Sequence, residues 1–238
     1  MENANLKGFE SLIRIMKILR GPKGCPWDRE QTKDSLKWYL IEECYEVLDA
    51  IESKSPEKLK EELGDTLFQI IFLAQISEEE GDFNIFDVIH FSKEKMIRRH
   101  PHVFKDKNAK DAFDVKKIWW EIKKEEKAKE GESILDSIPC ALPSLLKSFR
   151  ILKRAAHAGY GSDNIDEVLD KFDGNIEELK KSLKSQNKDR IEDELGKILF
   201  CLTNIGRLFE VNAEEALRKK NIEFSSWFKE TKHKESAG

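Results

Sequence analysis

Five carboxylates fall in two short stretches of this chain, Glu42, Glu43 and Glu46 in the first and Glu62 and Asp65 in the second. At about 100° per residue each set shares one side of a helix, and two such helices folded against each other would face carboxylate to carboxylate. Negative charges at that density repel strongly unless a cation sits among them. Hard oxygen donors of this kind suit Mg²⁺, with Mn²⁺ as a substitute, and such ions also bind water and substrate phosphates. The competing reading is a pair of solvated, charged helix faces, the ordinary fate of acidic runs. Their neighbours weigh against it. Leu40, Ile41, Cys44, Val47 and Leu48 in one stretch, and Leu63, Leu67 and Phe68 in the other, leave little of either helix wholly polar. At least some of the acids are therefore expected to line a partly buried groove.

Positive charge is supplied further along. Lys95, Arg98 and Arg99 lie at i, i+3 and i+4, a spacing that lets them converge on a polyphosphate, and Arg can hold phosphate oxygens in a two-pronged fork. Basic residues in a last helical turn also complement the helix dipole with no ligand at all. Lys58 lies one turn before Glu62, and Lys123 lies in a stretch so rich in Lys and Glu that a solvated face competes with a ligand contact. Trp27 sits in a proline-bounded loop ahead of the first acidic stretch, where stacking on a base competes with simple packing. His100 and His102 flank Pro101 and are given no catalytic role.

These residues occur in a duplicated frame. A shift of 132 residues carries Glu46 onto Glu178 and Glu62 onto Glu194, and residues 58–68 align with 190–200 without a gap. The same shift puts Gly174, Asn175 and Lys197 where Glu42, Glu43 and Asp65 stand. Past the acids the shift becomes 128, so that Asn84 meets Asn212 and the basic trio meets Glu223, Ser226 and Trp227. Acids and bases are lost together from the second copy, as expected if both served one site.

The elements that must position this chemistry are helical almost throughout. Leu6, Phe9, Leu12, Ile13, Met16 and Leu19 recur at helical spacing until the Gly- and Pro-rich segment 21–28. The pattern predicts a second helix from Thr32 to Ile51, a third from the Ser-Pro-Glu at 55–57 to near Gly81, and a fourth from Asn84 that must end by Pro101. A fifth surrounds Trp119 and Trp120. The Gly, Ser and Pro residues that follow mark a linker at 131–142 between domains at 1–130 and 143–238.

Composition agrees with an all-α chain, since Leu, Ile, Lys and Glu abound among 238 residues while Gly and Pro are sparse. A formal charge of −4 gives no global attraction to nucleic acid or acidic membranes. No stretch is long and apolar enough to span a bilayer, the N-terminus lacks a signal-peptide pattern, and a cytoplasmic location is expected. Cys25, Cys44, Cys140 and Cys201 show no zinc-site spacing. Cys44 and Cys201 fall within apolar helical patterns and are expected to be reduced packing residues.

The motifs together resemble the MazG nucleoside triphosphate pyrophosphohydrolases. The resemblance rests on Gly-Cys-Pro-Trp-Asp at 24–28, Glu-Glu-Cys-Tyr-Glu at 42–46, Glu-Leu-Gly-Asp at 62–65 and Arg-Arg-His-Pro-His-Val-Phe at 98–104. It continues through 119–126 and 135–143 and so covers nearly the whole chain. It implies an all-α fold of tandem helical-bundle domains, a homodimer, and Mg²⁺-dependent hydrolysis of nucleoside triphosphates to monophosphate and pyrophosphate, with broad base specificity and a house-cleaning role. By motif position Glu43, Glu46, Glu62 and Asp65 resemble the metal ligands, Glu42 is a further acid, and Lys58 matches a nucleotide-contacting position. The second copy departs from the pattern at Gly174, Asn175 and Lys197, so residues 143–238 are expected to support the structure or a dimer without turnover of their own. The alternative is a non-catalytic nucleotide-binding or regulatory scaffold.

Overall fold

The computed structural model describes residues 8–130 and 133–236, and among them it contains eleven helices and no strand. In chain order these are α1 (Phe9–Arg20), α2 (Pro26–Glu30), α3 (Lys33–Ser53), α4 (Pro56–Glu79), α5 (Ile85–Arg99), α6 (Pro101–Phe104), α7 (Ala112–Glu130), α8 (Ser144–His157), α9 (Ile165–Ser185), α10 (Lys188–Leu208) and α11 (Ala213–Ser236). The chain forms two compact units that divide between Trp119 and Trp120, inside α7. Leu6, which opens the apolar pattern of α1, and residues 131 and 132 of the expected linker lie outside the described residues. None of the helices among the described residues is long and apolar enough to cross a membrane.

In the first unit the helix starts follow from side-chain caps. Thr32 Oγ1 accepts from the Ser35 amide at 3.1 Å while Ser35 Oγ accepts from the Thr32 amide at 2.9 Å, a reciprocal cap that opens α3. Ser55 accepts from the Lys58 amide at 3.3 Å ahead of Pro56, the first residue of α4. Asn84 and Asp87 form the same reciprocal pair at the start of α5. The Gly- and Pro-rich segment after α1 folds back so closely that a Cβ on Gly24 would lie 2.0 Å from the Leu19 carbonyl oxygen, a clash that only glycine avoids. It also contains the single turn α2, which apolar periodicity could not reveal.

α3 and α4 form a hairpin whose connection turns on Lys54 in the left-handed region (φ 54°). Its open end carries the core. Ile13 and Met16 of α1, Leu36 of α3, Ile71, Phe72, Ala74 and Ile76 of α4 and Ile85 of α5 pack together there. Full burial of side chains of this size contributes about 1.5–3 kcal/mol each.

The second unit repeats the hairpin in the register read from the sequence. α3 and α9 start at 33 and 165 and end at 53 and 185, and Gln186, like Lys54, is left-handed (φ 51°). Asn187 caps the Arg190 amide at 3.1 Å, at the position of Ser55. α11 begins after Asn212 as α5 begins after Asn84. α8 packs on α10 and α11, and Arg154 of α8 holds the Ile134 carbonyl at 2.6 Å and Ser137 Oγ at 2.7 Å.

Candidate metal and phosphate site

The closing half of the first hairpin brings the acids together. One carboxylate oxygen from each of Glu43, Glu62 and Asp65 lies within 4.8 Å of the others. Glu43 and Glu62 are half-buried, whereas Asp65 is exposed. Burial and then the charge of Asp65, followed by Glu46 and Glu62, raise the Glu43 carboxyl above its ordinary range, with hydrogen bonding from Gln69 working the other way. Burial and the charges of Glu46, Glu61 and Asp65 raise Glu62, which Lys58 partly offsets. Glu43 Oε2 is buried and accepts no hydrogen bond, and Gln69 Oε1 is in the same state. Orphaned, buried oxygens among converging carboxylates fit a hard divalent cation, which supplies what these donors lack.

Glu46 acts on both half-buried acids without joining the group of three, and Glu42 is exposed. Lys58 is exposed on α4 and close enough to act on Glu62. On α5, Lys95 Nζ lies 5.3 Å from the centre of the Phe91 ring, the Arg99 guanidinium lies 5.5 Å from that of Trp119, and Arg98 is exposed on the same turn. Lys123 belongs to the second unit, where it lines a shallow pocket with Trp120, Lys124 and Ile134. Trp27 is half-exposed, its ring set edge-on to Tyr39 of α3 with centroids 5.9 Å apart.

Two features depart from the sequence reading. Ile41, Leu48, Leu63 and Leu67, of the apolar ring around the acids, are exposed, while Glu43 and Glu62 are half-buried. Cys44 is exposed with them, not packed. The sequence reading also passed over Gln69. Its place four residues after Asp65 and seven after Glu62, in an otherwise apolar run, is the signal that could have found it.

In the second hairpin the corresponding places hold different chemistry. Lys197 pairs with Glu194 at 2.9 Å and with Asp193 at 2.6 Å. Those two carboxylates, as hydrogen-bond partners and as charges, raise the Lys197 ammonium well above its ordinary range. Glu178 pairs with Lys181 at 2.6 Å, and Lys181, with smaller help from Arg190 and Lys197, lowers its carboxyl. Asn175 donates to Cys201 Sγ at 3.4 Å.

Residues 31–104 match the MazG nucleotide pyrophosphohydrolase domain. The chain is 43% identical over 221 residues, 93% of its length, to a Thermotoga maritima protein named nucleoside triphosphate pyrophosphohydrolase/pyrophosphatase MazG, of which it covers 84%. It is 41% identical over 226 residues, again 93% of its length, to the Escherichia coli K12 nucleoside triphosphate pyrophosphohydrolase, of which it covers 86%. A crystal structure of a mazG-related protein from Thermotoga maritima aligns with 49% of this chain and 99% of its own, at 28% identity and a TM-score of 0.43.

Proposed function

The chain belongs to the MazG family of nucleoside triphosphate pyrophosphohydrolases, enzymes that hydrolyse a nucleoside triphosphate to the monophosphate and pyrophosphate, and we propose that its first unit carries this reaction with Mg²⁺ held by Glu43, Glu62 and Asp65. The observation that carries the placement is the convergence of three carboxylates, one oxygen of each within 4.8 Å of the others. The match to the family domain also falls within that unit.

Bound there, Mg²⁺ (or Mn²⁺ in its place) would offset the triphosphate's charge and lower the pKa of a water ligand. The remaining work falls to side chains. Glu46 completes the acidic wall, and Glu42, outside the group, is left to orient the attacking water and take its proton. Lys58, Lys95, Arg98 and Arg99 complement the phosphates, the arginines through paired N–H donors. The water oxygen bonds to phosphorus, the bridging bond between the α and β phosphates breaks, and the products are monophosphate and pyrophosphate. None of these groups reads a base edge, which accords with broad specificity and a house-cleaning role.

Two further proposals concern assembly and place of action. The outward apolar face of the hairpin, with Ile41, Tyr45, Leu48, Ile51, Leu63 and Leu67 exposed, suits a second copy of the chain, and the working form is a homodimer. With its own ammonium at the Asp65 position, the second unit supports that assembly without turnover. The enzyme acts in the cytoplasm on free nucleotides and has no nucleic-acid partner.

The test is to incubate the full chain with each common nucleoside triphosphate, with and without Mg²⁺, and to resolve products by anion exchange. Monophosphate and pyrophosphate formed only with metal, and lost in Glu43→Ala and Glu62→Ala, are expected. Undiminished turnover in both variants would remove the site from the first hairpin.

A further inference from the structure

The connection between α1 and α3, at the open end of the first hairpin, is held by several hydrogen bonds. Arg20, the last residue of α1, has a side chain only 7% exposed. Its Nε donates to Glu79 Oε1 at 2.9 Å and Oε2 at 3.0 Å, and its Nη2 to Glu79 Oε2 at 2.6 Å. Its Nη1 donates to the Asp28 carbonyl and, at 3.2 Å, to the Gln31 carbonyl. Gln75 steadies the same Glu79 from a turn earlier on α4, at 3.1 Å. At the other end of the connection the Cys25 amide donates to the Leu19 carbonyl at 2.8 Å, where only glycine fits at position 24.

A short connection pinned at both ends carries Trp27 in its middle with half of its surface in solvent. Exposing so large an apolar ring from a rigid support contributes little to the core. The ring touches Tyr39, and Tyr39 lies four and seven residues before Glu43 and Glu46, on the same stripe of α3. Four residues of helix span about 6 Å. Phosphates held at the acids would thus leave the far end of a nucleotide, one sugar away, beside Trp27.

The geometry points to Trp27, backed edge-on by Tyr39, as the nucleobase subsite, with Arg20 as the positioning residue that presents it. This inference rests on the triphosphate lying at the acid cluster, as proposed above. A single aromatic face accepts any base because every base has a π-face, and the wider purines gain more from it. The ligand class is therefore a nucleoside triphosphate of either base type, favoured in the order purine over pyrimidine.

The experiment compares ATP and CTP hydrolysis with inhibition by inorganic tripolyphosphate, which has phosphates but no base. In the full chain with Mg²⁺, Trp27→Ala should raise KM for ATP about tenfold or more, the order of one lost base stack, and raise it less for CTP. The kcat should stay within about twofold and the tripolyphosphate inhibition constant should not move. Trp27→Phe should restore most of the affinity, and Tyr39→Ala should reproduce part of the loss. Arg20→Lys should likewise raise KM for ATP while sparing tripolyphosphate, whereas a purely structural arginine would weaken both together. An unchanged KM in Trp27→Ala overturns the inference, and so does a tripolyphosphate constant that worsens in step with KM. Failure of the underlying placement reads differently: tripolyphosphate would then inhibit wild type and Glu43→Ala alike.

Discussion

At matched positions of the two hairpins, Glu43 lies beside Gln69 with a buried oxygen unpartnered, whereas Asn175 is satisfied by Cys201. Asp65 adds a third negative charge to its group, whereas Lys197 closes two ion pairs. The carboxyls of Glu43 and Glu62 are raised by burial and neighbouring acids, whereas Glu178, at the place of Glu46, is lowered by Lys181. The backbone is the same in both: equal first-helix bounds, a left-handed connecting residue, and a polar cap before the second helix. Caps, turn and apolar spacing are thus sufficient for the fold. The raised carboxyls of the first hairpin are a cost that a cation held there, as proposed above, would offset, and the second hairpin carries the same scaffold without that cost.

The sharpest way to break this contrast is paired mutation. Glu43→Ala and Glu62→Ala should each lower Mg²⁺-dependent turnover by more than about 100-fold, beyond the loss seen when only an outer partner of a metal ligand is removed. Glu194→Ala, at the place of Glu62, should leave kcat and KM unchanged. Steady-state kinetics on the three full-length variants checks this. Equal losses on both sides would show two working sites.

The second largest effect concerns metal and pH. A carboxyl raised in the folded state favours folding below its unfolded pKa, and that advantage is lost as pH rises through the raised folded value. Near neutrality the metal-free first hairpin is therefore weakened by its own acids. Mg²⁺ at about 100 times its Kd adds about 2.7 kcal/mol by linkage. Calorimetry of the full chain should show an Mg²⁺-dependent rise in the first unit's melting temperature at pH 7 to 8 that shrinks toward pH 5, as protons compete for Glu43 and Glu62. A rise of the same size at both pH values would contradict the assignment of these two acids as ligands.

Much of this was legible in the sequence, for reasons that differ by residue. Thr32, Ser55 and Asn84 are local signals, and each caps the helix it precedes. Spacing brings Glu43, Glu62 and Asp65 together because they lie on the two helices of one hairpin joined by a tight turn. Periodicity tells which side chains share a face but not which face the core will take. Cys44, expected to pack, is for that reason found exposed, as are Ile41, Leu48 and Leu63 of the apolar ring around the acids. Arg20 and Tyr39 were passed over because their contacts, with Glu79 and Trp27, join segments that no local pattern connects.

A smaller effect should have opposite signs in the two hairpins. Glu43→Gln removes one of the mutually repelling charges and should raise the melting temperature of the first unit in EDTA while abolishing its response to Mg²⁺. Lys197→Met removes the counter-charge of Glu194, whose side chain is only 12% exposed, and should lower the melting temperature of the second unit. The Lys197 pairing persists through neutral pH, since a raised lysine favours folding until pH climbs past its ordinary pKa toward the folded value. Calorimetry at pH 7 decides both signs, and a stabilising Lys197→Met would mean that the ammonium is no substitute for a bound cation.

The smallest expected effect is the most demanding of the contrast. Glu178 stands at the place of Glu46 and is exposed like it, but it is paired with Lys181 one turn on. Exposed pairs of this kind contribute little to stability. Glu178→Ala should therefore leave both turnover and melting within error of wild type, while Glu46→Ala should weaken activation by Mg²⁺, because Glu46 acts on both half-buried acids of the cluster. Titrating turnover against Mg²⁺ in the two variants separates the cases. If Glu178→Ala shifted the Mg²⁺ dependence as far as Glu46→Ala, the second hairpin would have to bear on the same metal, and the difference between Asp65 and Lys197 could no longer be read as the line between a working copy and a structural one.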